Sequence, residues 1–343
     1  MRKVVVHAAG GHDRLKLEEA PALTPGPGEV LVEVRAAGIN YADVMVRMGL
    51  YASAKELVGW PITPGFEVAG TVGAVGEGVK AFAVGDRVLA VTLFDGYASQ
   101  VVVREVFARP IPGDLSFAQA AGFPSVYVTA WFALHELAHP RPGARLLVHS
   151  AAGGVGGCLV QLGKRAGCEV TGVVGRPEKL AALREHGADH CIDKSSQDLW
   201  AEARKIAPEG FDVICDANGI ETLGASYAHL RPTGRLVVYG FHTMLPKGKA
   251  KPSWPKLAAD WLRTPRFNPL DLTTENKSVL AFNLSFLFDR LDLAELALGD
   301  LIGWLEAGEI RPPPVTTYPF EEVARAHADL ESGRTTGKLV LEL

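Results

Sequence analysis

The sequence predicts a two-domain α/β fold: a doubly wound parallel sheet joined to a smaller, mostly β domain. Three observations predict it. From residue 145 onward apolar strand patterns alternate with amphipathic helix patterns, the signature of a parallel sheet covered on both faces. Before residue 110 the chain reads instead as short strands broken by glycine and proline turns. Between them, Leu146-Leu147-Val148 runs into Ser150-Ala151-Ala152-Gly153-Gly154-Val155-Gly156-Gly157, and helical spacing resumes at Cys158.

Composition bounds the answer. The chain has 343 residues, enough for two cores, with 48% apolar and 22% charged side chains, as in soluble globular proteins. A net charge of −4 offers no basic field for nucleic acid or an anionic membrane. The charged opening Met1-Arg2-Lys3 is no secretory signal, and no apolar run reaches the roughly 20 residues of a membrane span. Cys158, Cys168, Cys191 and Cys215 form no Cys-x-x-Cys pair and lie in apolar patterns, as buried thiols of a reducing compartment do. The expectation is a soluble, cytoplasmic protein.

In the first domain, Pro25-Gly26-Pro27-Gly28 turns the chain into the alternating strand 29–37. Strands follow at 66–76, 85–91 and 96–103, and together they suggest a small, curved, barrel-like sheet. Residues 117–124 and 128–135 read as helices leading to the glycine turn. Strands are then expected at 145–149, 169–174, 191–192, 211–215, 235–239 and 278–284, with helices at 154–166, 177–186, 196–206 and 220–230. Segment 241–276 carries Trp254, Trp261, Phe267 and five prolines; it is either a lid or an apolar helix packed on its own domain. The basic cluster Lys247, Lys249, Lys251 and Lys256 reads as a solvated loop. Amphipathic helices at 293–306 and 320–331 precede a last strand, 338–341, expected to return to the first domain. The domain boundaries read as 1–122 with 286–343, and 123–285.

The glycine turn carries the first functional reading. A strand, a tight turn and a helix start allow a pyrophosphate to approach the backbone and sit on unpaired helix N–H groups. The second strand, ending Val173-Val174-Gly175-Arg176, completes a βαβ unit of the right length. An acidic residue there would bind the ribose 2′-hydroxyl of NAD; here Arg176 stands instead, with Lys179 three residues on, which calls for the 2′-phosphate of NADPH. Ligands in open α/β sheets sit at the C-terminal ends of the strands. That places Asn218, after the fourth strand, and Tyr239, Gly240 and Phe241, after the fifth, beside Gly153, Gly154 and Val155. Phe282, Asn283 and Leu284 follow the sixth.

These residues together resemble the medium-chain dehydrogenase/reductase superfamily over essentially the whole chain. The carriers are the turn 151–156, Gly38-Ile39-Asn40-Tyr41-Ala42-Asp43, Gly49-Leu50-Tyr51, Pro64-Gly65-Phe66-Glu67-Val68-Ala69-Gly70, Gly85-Asp86-Arg87-Val88 and Gly337-Lys338. The resemblance implies a Rossmann domain, a GroES-like catalytic domain and a homodimer formed through sheet edges. It is strongest to the quinone oxidoreductase branch, and the Trp-rich insert with Asn283 is similar to homologues of the synaptic-vesicle amine-transport protein. Zinc relatives carry Cys where Asn40 stands and His where Phe66 stands, so the resemblance implies a zinc-free enzyme with no metal ligands. Hydride delivery to a quinone or an α,β-unsaturated carbonyl suits such a site, because charge moves onto an oxygen that neutral donors can stabilise.

Under that resemblance Asn40 is the candidate donor or nicotinamide-ribose ligand, and its alternative is a turn residue. Tyr51 is either a donor facing the substrate or a half-buried aromatic. Asp43 either orients Asn40 or caps the helix at Tyr41. Thr129 matches the position that binds the nicotinamide carboxamide, Lys338 the lysine near the cofactor phosphates, and Lys194 replaces a usual tyrosine. His242 reads as a solvent-facing loop histidine and takes no role. The expected partner is a small quinone or enone. The alternatives are an enoyl reductase of a biosynthetic pathway and a non-catalytic NADPH-binding interaction protein.

Overall fold

The computed structural model describes residues 1–244 and 253–343, so Lys247, Lys249 and Lys251 lie outside the described residues. The chain divides into two compact units. One comprises Met1–Val128 and Leu284–Leu343; the other comprises residues 129–244 and Ser253–Asn283.

The first unit is built on a seven-stranded sheet whose centre is the long strand Glu29–Ile39. Val32, Val34, Ala37 and Ile39 are buried on it. Its first half pairs antiparallel with Gln100–Arg104 and its last residues with Lys338–Glu342, while Glu67–Val75 runs along the other edge. One strand serves two partners on one side because it bends, with register shifts between Leu31 and Val32 and between Val34 and Ala36 in its pairing to Glu67–Val75. That bend curls the sheet around Val68, Val88, Phe94, Tyr97 and Phe320. The predicted return of the last strand is observed: Lys338–Glu342 lies between Glu29–Ile39 and Val315–Pro319. Helix Leu291–Glu306 belongs to this unit, where the preceding Phe288 stacks on Phe107 with ring centroids 4.1 Å apart.

The second unit holds six parallel strands in the spatial order His190–Asp193, Glu169–Val174, Arg145–Val148, Phe211–Asp216, Leu230–Val238, Ser278–Ala281. In chain order that is 3-2-1-4-5-6, the doubly wound arrangement whose switch point lies above the first strand. Leu147, Val173, Ile192, Phe211, Ile214 and Leu236 fill its core. Two expected helices are shorter than their patterns. Residues 220–230 give only Leu223–Ala228, because Leu230 already pairs with Phe211 as strand. In 177–186 the α-helix is Leu180–Glu185, after a 3₁₀ turn at Pro177–Lys179 where proline supplies no N–H. Helix Pro124–Trp131 runs on into a wider π-turn, Phe132–Ala138, that ends at left-handed His139.

Within the 241–276 segment, helices Trp254–Arg263 and Pro269–Glu275 form. Buried Asp260 pairs with Lys256, and Phe267 packs on Tyr227 at 5.2 Å. Trp254, Trp261, Leu262 and Leu270 remain exposed.

Candidate active site

In the parallel-sheet unit, the turn after Arg145–Val148 is made by Ser150 in the left-handed region (φ 53°) and Gly153 as the helix N-cap. No side chain caps helix Gly154–Arg165, so the N–H groups of its first turn are available to an anion. Gly156 is required by space: a Cβ there would lie 2.3 Å from the Ser150 carbonyl oxygen. The turn is thus shaped for close backbone approach at Gly153, Gly154 and Val155.

The neighbouring loops are knitted to one buried carboxylate. Asp216 Oδ1 accepts from the N–H groups of Asn218 (2.8 Å) and Gly219 (3.2 Å), while Oδ2 accepts from Ser226 Oγ (2.9 Å). Ser226 in turn accepts from His149 Nε2 at 3.0 Å, so His149 is neutral with Nε2 protonated. Burial pushes the His149 pKa down to about 4, against the raising effect of Asp216. Ser150 Oγ donates to Asn218 Oδ1 at 3.0 Å, and Asn218 Nδ2, buried, has no partner among the described residues. An orphan amide of this kind beside a glycine turn fits a polar ligand. Tyr239 N–H donates to the Asp216 carbonyl, and Thr243 Oγ1 donates to the Asn218 carbonyl at 2.7 Å. His242 differs from expectation: its Nδ1 bonds the Ala217 carbonyl at 2.9 Å and burial holds its pKa low, because the loop folds back instead of facing water.

At the end of Glu169–Val174, exposed Gly175 is followed by Arg176 and Lys179, and no acidic side chain ends the strand. Burial and the Arg176 guanidinium both lower the Lys179 pKa, as expected for cations held close. Lys194 is exposed, its backbone N–H donates to the Val174 carbonyl, and its Cε would lie 3.6 Å from a Cβ on Gly175. The structure therefore brings Arg176, Lys179 and Lys194 to one strand end. Phe282, on Phe132 at 4.9 Å and stacked with Tyr239 at 6.5 Å, closes the aromatic side of this unit next to Asn283. Thr129 is half-buried on helix Pro124–Trp131.

In the mostly β unit, the structure brings together Asn40 and Lys338, and Leu284 belongs to this unit as well. Asn40 precedes helix Tyr41–Arg47 as its N-cap, but its amide does other work: Nδ2 donates to Glu67 Oε1 at 3.0 Å and Oδ1 accepts from Lys338 Nζ. Lys338 and Glu67, 3% and 0% exposed, form an ion pair at 2.5 Å. Glu67 Oε2 accepts from Ser125 N–H at 2.7 Å, so both oxygens are engaged. Asp43 meets both of its expected descriptions. Its Oδ2 accepts from the Asn40 N–H at 2.7 Å, a cap bond, while Oδ1 accepts from Gly65 N–H at 2.8 Å. Tyr51 is half-buried; its ring packs edge-on to Phe66 and Phe94 at 5.7 and 6.4 Å, and its hydroxyl bonds Ser285 Oγ at 3.1 Å.

Glu67 carries a part in this site that the motif around it does not assign. A carboxylate inside the apolar run Phe66–Val72 was the signal for Glu67, since a charge there must be paired.

The residues present do not fit zinc at the positions where zinc relatives bind it. The two positions at which zinc relatives offer Cys and His hold an amide already committed to Glu67 and Lys338 and a phenyl ring inside an aromatic cluster. Among the described residues no group of three or more His, Cys, Asp or Glu is arranged to hold a metal. Among them, too, no helix is long and apolar enough to cross a membrane.

Comparison with known proteins agrees with this geometry. Residues 26–130 match the family described as alcohol dehydrogenase GroES-like domain, and residues 186–341 match the one described as zinc-binding dehydrogenase. The chain is 35% identical to the human synaptic vesicle membrane protein VAT-1 homolog, over 99% of this chain and 86% of that one. It is 32% identical to a quinone oxidoreductase of Lama guanicoe, over 100% and 98%. The Escherichia coli quinone oxidoreductase complexed with NADPH superposes with a TM-score of 0.86 at 27% identity, over the full length of both chains. With its six-stranded 3-2-1-4-5-6 sheet and GroES-like unit, the chain belongs to the medium-chain dehydrogenase/reductase superfamily, close to the VAT-1 homologues and the quinone oxidoreductases.

Proposed function

We propose that this oxidoreductase is a zinc-independent reductase that uses NADPH and delivers hydride to a quinone or an α,β-unsaturated carbonyl compound. The observation that carries the reading is the Asn40 amide, fixed by Glu67 and Lys338 where zinc relatives bind metal. NADPH, when bound, supplies the hydride. The chain's own residues bind, orient and stabilise. The helix start at Gly154 and the turn at Gly153 take the pyrophosphate. Arg176, Lys179 and Lys194 take the 2′-phosphate, a choice supported by the absence of an acid at the end of Glu169–Val174. Asn218, Tyr239, Gly240, Phe241, Phe282 and Asn283 line the nucleotide at the strand ends, with Thr129 on the carboxamide.

In the GroES-like unit one Nδ2 hydrogen of Asn40 is spent on Glu67, which leaves the other to donate to an oxygen of cofactor or substrate. Lys338, held beside it, adds positive charge where the reduced carbonyl becomes negative, so its role lies nearer the reacting oxygen than the cofactor phosphates. Tyr51, steadied by Ser285, is the second hydroxyl donor. Tyr51, half-buried and backed by Phe66 and Phe94, is the aromatic side chain that would meet a quinone ring. The edge strand Ser278–Ala281 supports pairing with a second copy.

The test is loss of reduced-nicotinamide absorbance with NADPH and NADH against ortho- and para-quinones, simple enones and enoyl thioesters. NADPH-specific turnover on quinones or enones supports the reading. Turnover confined to enoyl thioesters moves it to an enoyl reductase. NADPH binding without turnover on any of them moves it to a cofactor-binding interaction protein.

A further inference from the structure

A line of buried polar groups leads away from Asn40 inside the GroES-like unit and has no part in the chemistry above. Tyr97, fully buried, donates its hydroxyl to Asp43 Oδ2 at 3.0 Å. His327 Nε2 lies 3.2 Å from the Tyr97 oxygen, and His327 Nδ1 lies 3.4 Å from Arg47 Nη1. Arg47 pairs with Glu331 at 2.8 Å, and Glu331 with His12 at 2.8 Å. Asp43, Arg47 and His327 are all 0% exposed, on two helices and held against the core of the same sheet.

The donors and acceptors along this line can point only one way. A guanidinium keeps its protons and accepts nothing, so His327 Nδ1 must accept and Nε2 must carry the hydrogen. Nε2–H then donates to the Tyr97 oxygen, which leaves the phenolic hydrogen for Asp43. Asp43 receives that hydrogen together with the N–H groups of Asn40 and Gly65. Three donors converge on Asp43, and each of them favours its carboxylate form over the protonated acid.

We propose that Tyr97 and His327 are positioning residues for Asn40: they hold Asp43 as an acceptor, and Asp43 fixes the Asn40 backbone from which the amide reaches its site. The proposal rests on Asn40 being the donor of the reductase site. Lys338 and Tyr97 face Asp43; Glu67 and Arg47 act on Tyr97, and Arg47 and His12 act on His327. Burial, the largest influence, pushes the Asp43 pKa up to about 7, against Lys338 and the three hydrogen bonds, and burial keeps His327 well below its ordinary range. Asp43 thus titrates where a lost donor is measurable.

The experiment compares the intact protein with Tyr97→Phe, His327→Leu and His327→Gln. It follows the Asn40 backbone amide by ¹⁵N NMR across pH, alongside kcat and KM for NADPH-driven quinone reduction. Tyr97→Phe is expected to move the Asn40 amide midpoint and the acid limb of kcat upward by about one pH unit, the size of one hydrogen bond to a charged group, and His327→Leu, which removes only the donor to the Tyr97 oxygen, to move them in the same direction by less. His327→Gln, which still accepts from Arg47 and donates to Tyr97, is expected to restore both midpoints. Unchanged midpoints in folded Tyr97→Phe overturn the proposal, as does a change in melting temperature alone. Should His327→Leu fail to fold, Tyr97→Phe decides, since it keeps the ring and loses one oxygen. The amide titration needs no turnover, so an inactive wild type sinks the reductase reading while the titration alone decides whether Tyr97 and His327 position Asn40.

Discussion

Lys338 Nζ and Glu67 Oε1 lie 2.5 Å apart inside the GroES-like unit, and the Asn40 amide bridges the two, donating to one and accepting from the other. A pair buried this fully is costly to break, because the survivor keeps its charge without a partner. Lys338→Met is expected to destabilise the unit by about 3–5 kcal/mol. The double variant Lys338→Met/Glu67→Gln should recover a large part of that loss. Urea unfolding of the four proteins in the cycle measures the coupling; additive effects would mean that the two charges are independent.

The basic strand end makes a cofactor prediction. Arg176→Ala and Lys179→Ala should each weaken NADPH by roughly 10- to 100-fold, the loss of a charge-assisted contact to phosphate. Neither should change the affinity for NADH. Fluorescence titration of both cofactors checks this, and equal losses for the two would place Arg176 and Lys179 elsewhere on the nucleotide.

Two glycine variants should behave differently. Gly156→Ala would press a methyl against the Ser150 carbonyl, within 2.3 Å, so the turn must open and NADPH affinity should fall about tenfold or more. Gly153→Ala meets the same oxygen at 3.3 Å, with the backbone already extended, and should cost far less. Isothermal titration with NADPH separates them.

Metal independence is tested by dialysis against a strong chelator followed by elemental analysis. Activity is expected to be retained, with no zinc bound in stoichiometric amount. Chelator-sensitive turnover restored by zinc would refute the assignment of Asn40 and Phe66 as non-ligands.

Stability should vary with pH in two opposed ways. His149 and His327 have folded pKa values depressed by burial, so their contribution is fully present above the ordinary histidine value and is lost as pH falls below it, toward about 4 for His149. Each contributes on the order of 1 kcal/mol per pH unit across that window. Asp43 runs the other way: its raised pKa gives stability that is full below the ordinary carboxylate range and lost as pH rises through about 7. Melting temperature should therefore fall on acidification below pH 6.5, and His327→Gln should flatten that fall.

Much of this was legible in the sequence because periodicity and turn chemistry are local. The βαβ unit around Gly153, the basic pair Arg176 and Lys179 and the return of strand Lys338–Glu342 are each written in a few neighbouring residues. The clamp on Asn40 is not. Glu67 lies between Phe66 and Val68 and Lys338 comes at the other end of the chain, and nothing local says that their polar atoms meet at Asn40. Helix lengths also escaped, as at Leu230, where pairing with Phe211 overrode a helix-compatible pattern. His242 reads as a loop residue until the backbone of Ala217 is seen beside it.

Asn40 and Lys338 stand 298 positions apart, and all of the parallel-sheet unit is encoded between them. During synthesis all residues of that unit are made before Lys338 is. Strand Glu29–Ile39 cannot gain its Lys338–Glu342 neighbour, nor Glu67 its counter-charge, until the ribosome has passed residue 338. An unfinished chain therefore leaves one edge of that sheet unpaired and a carboxylate in it without its counter-charge.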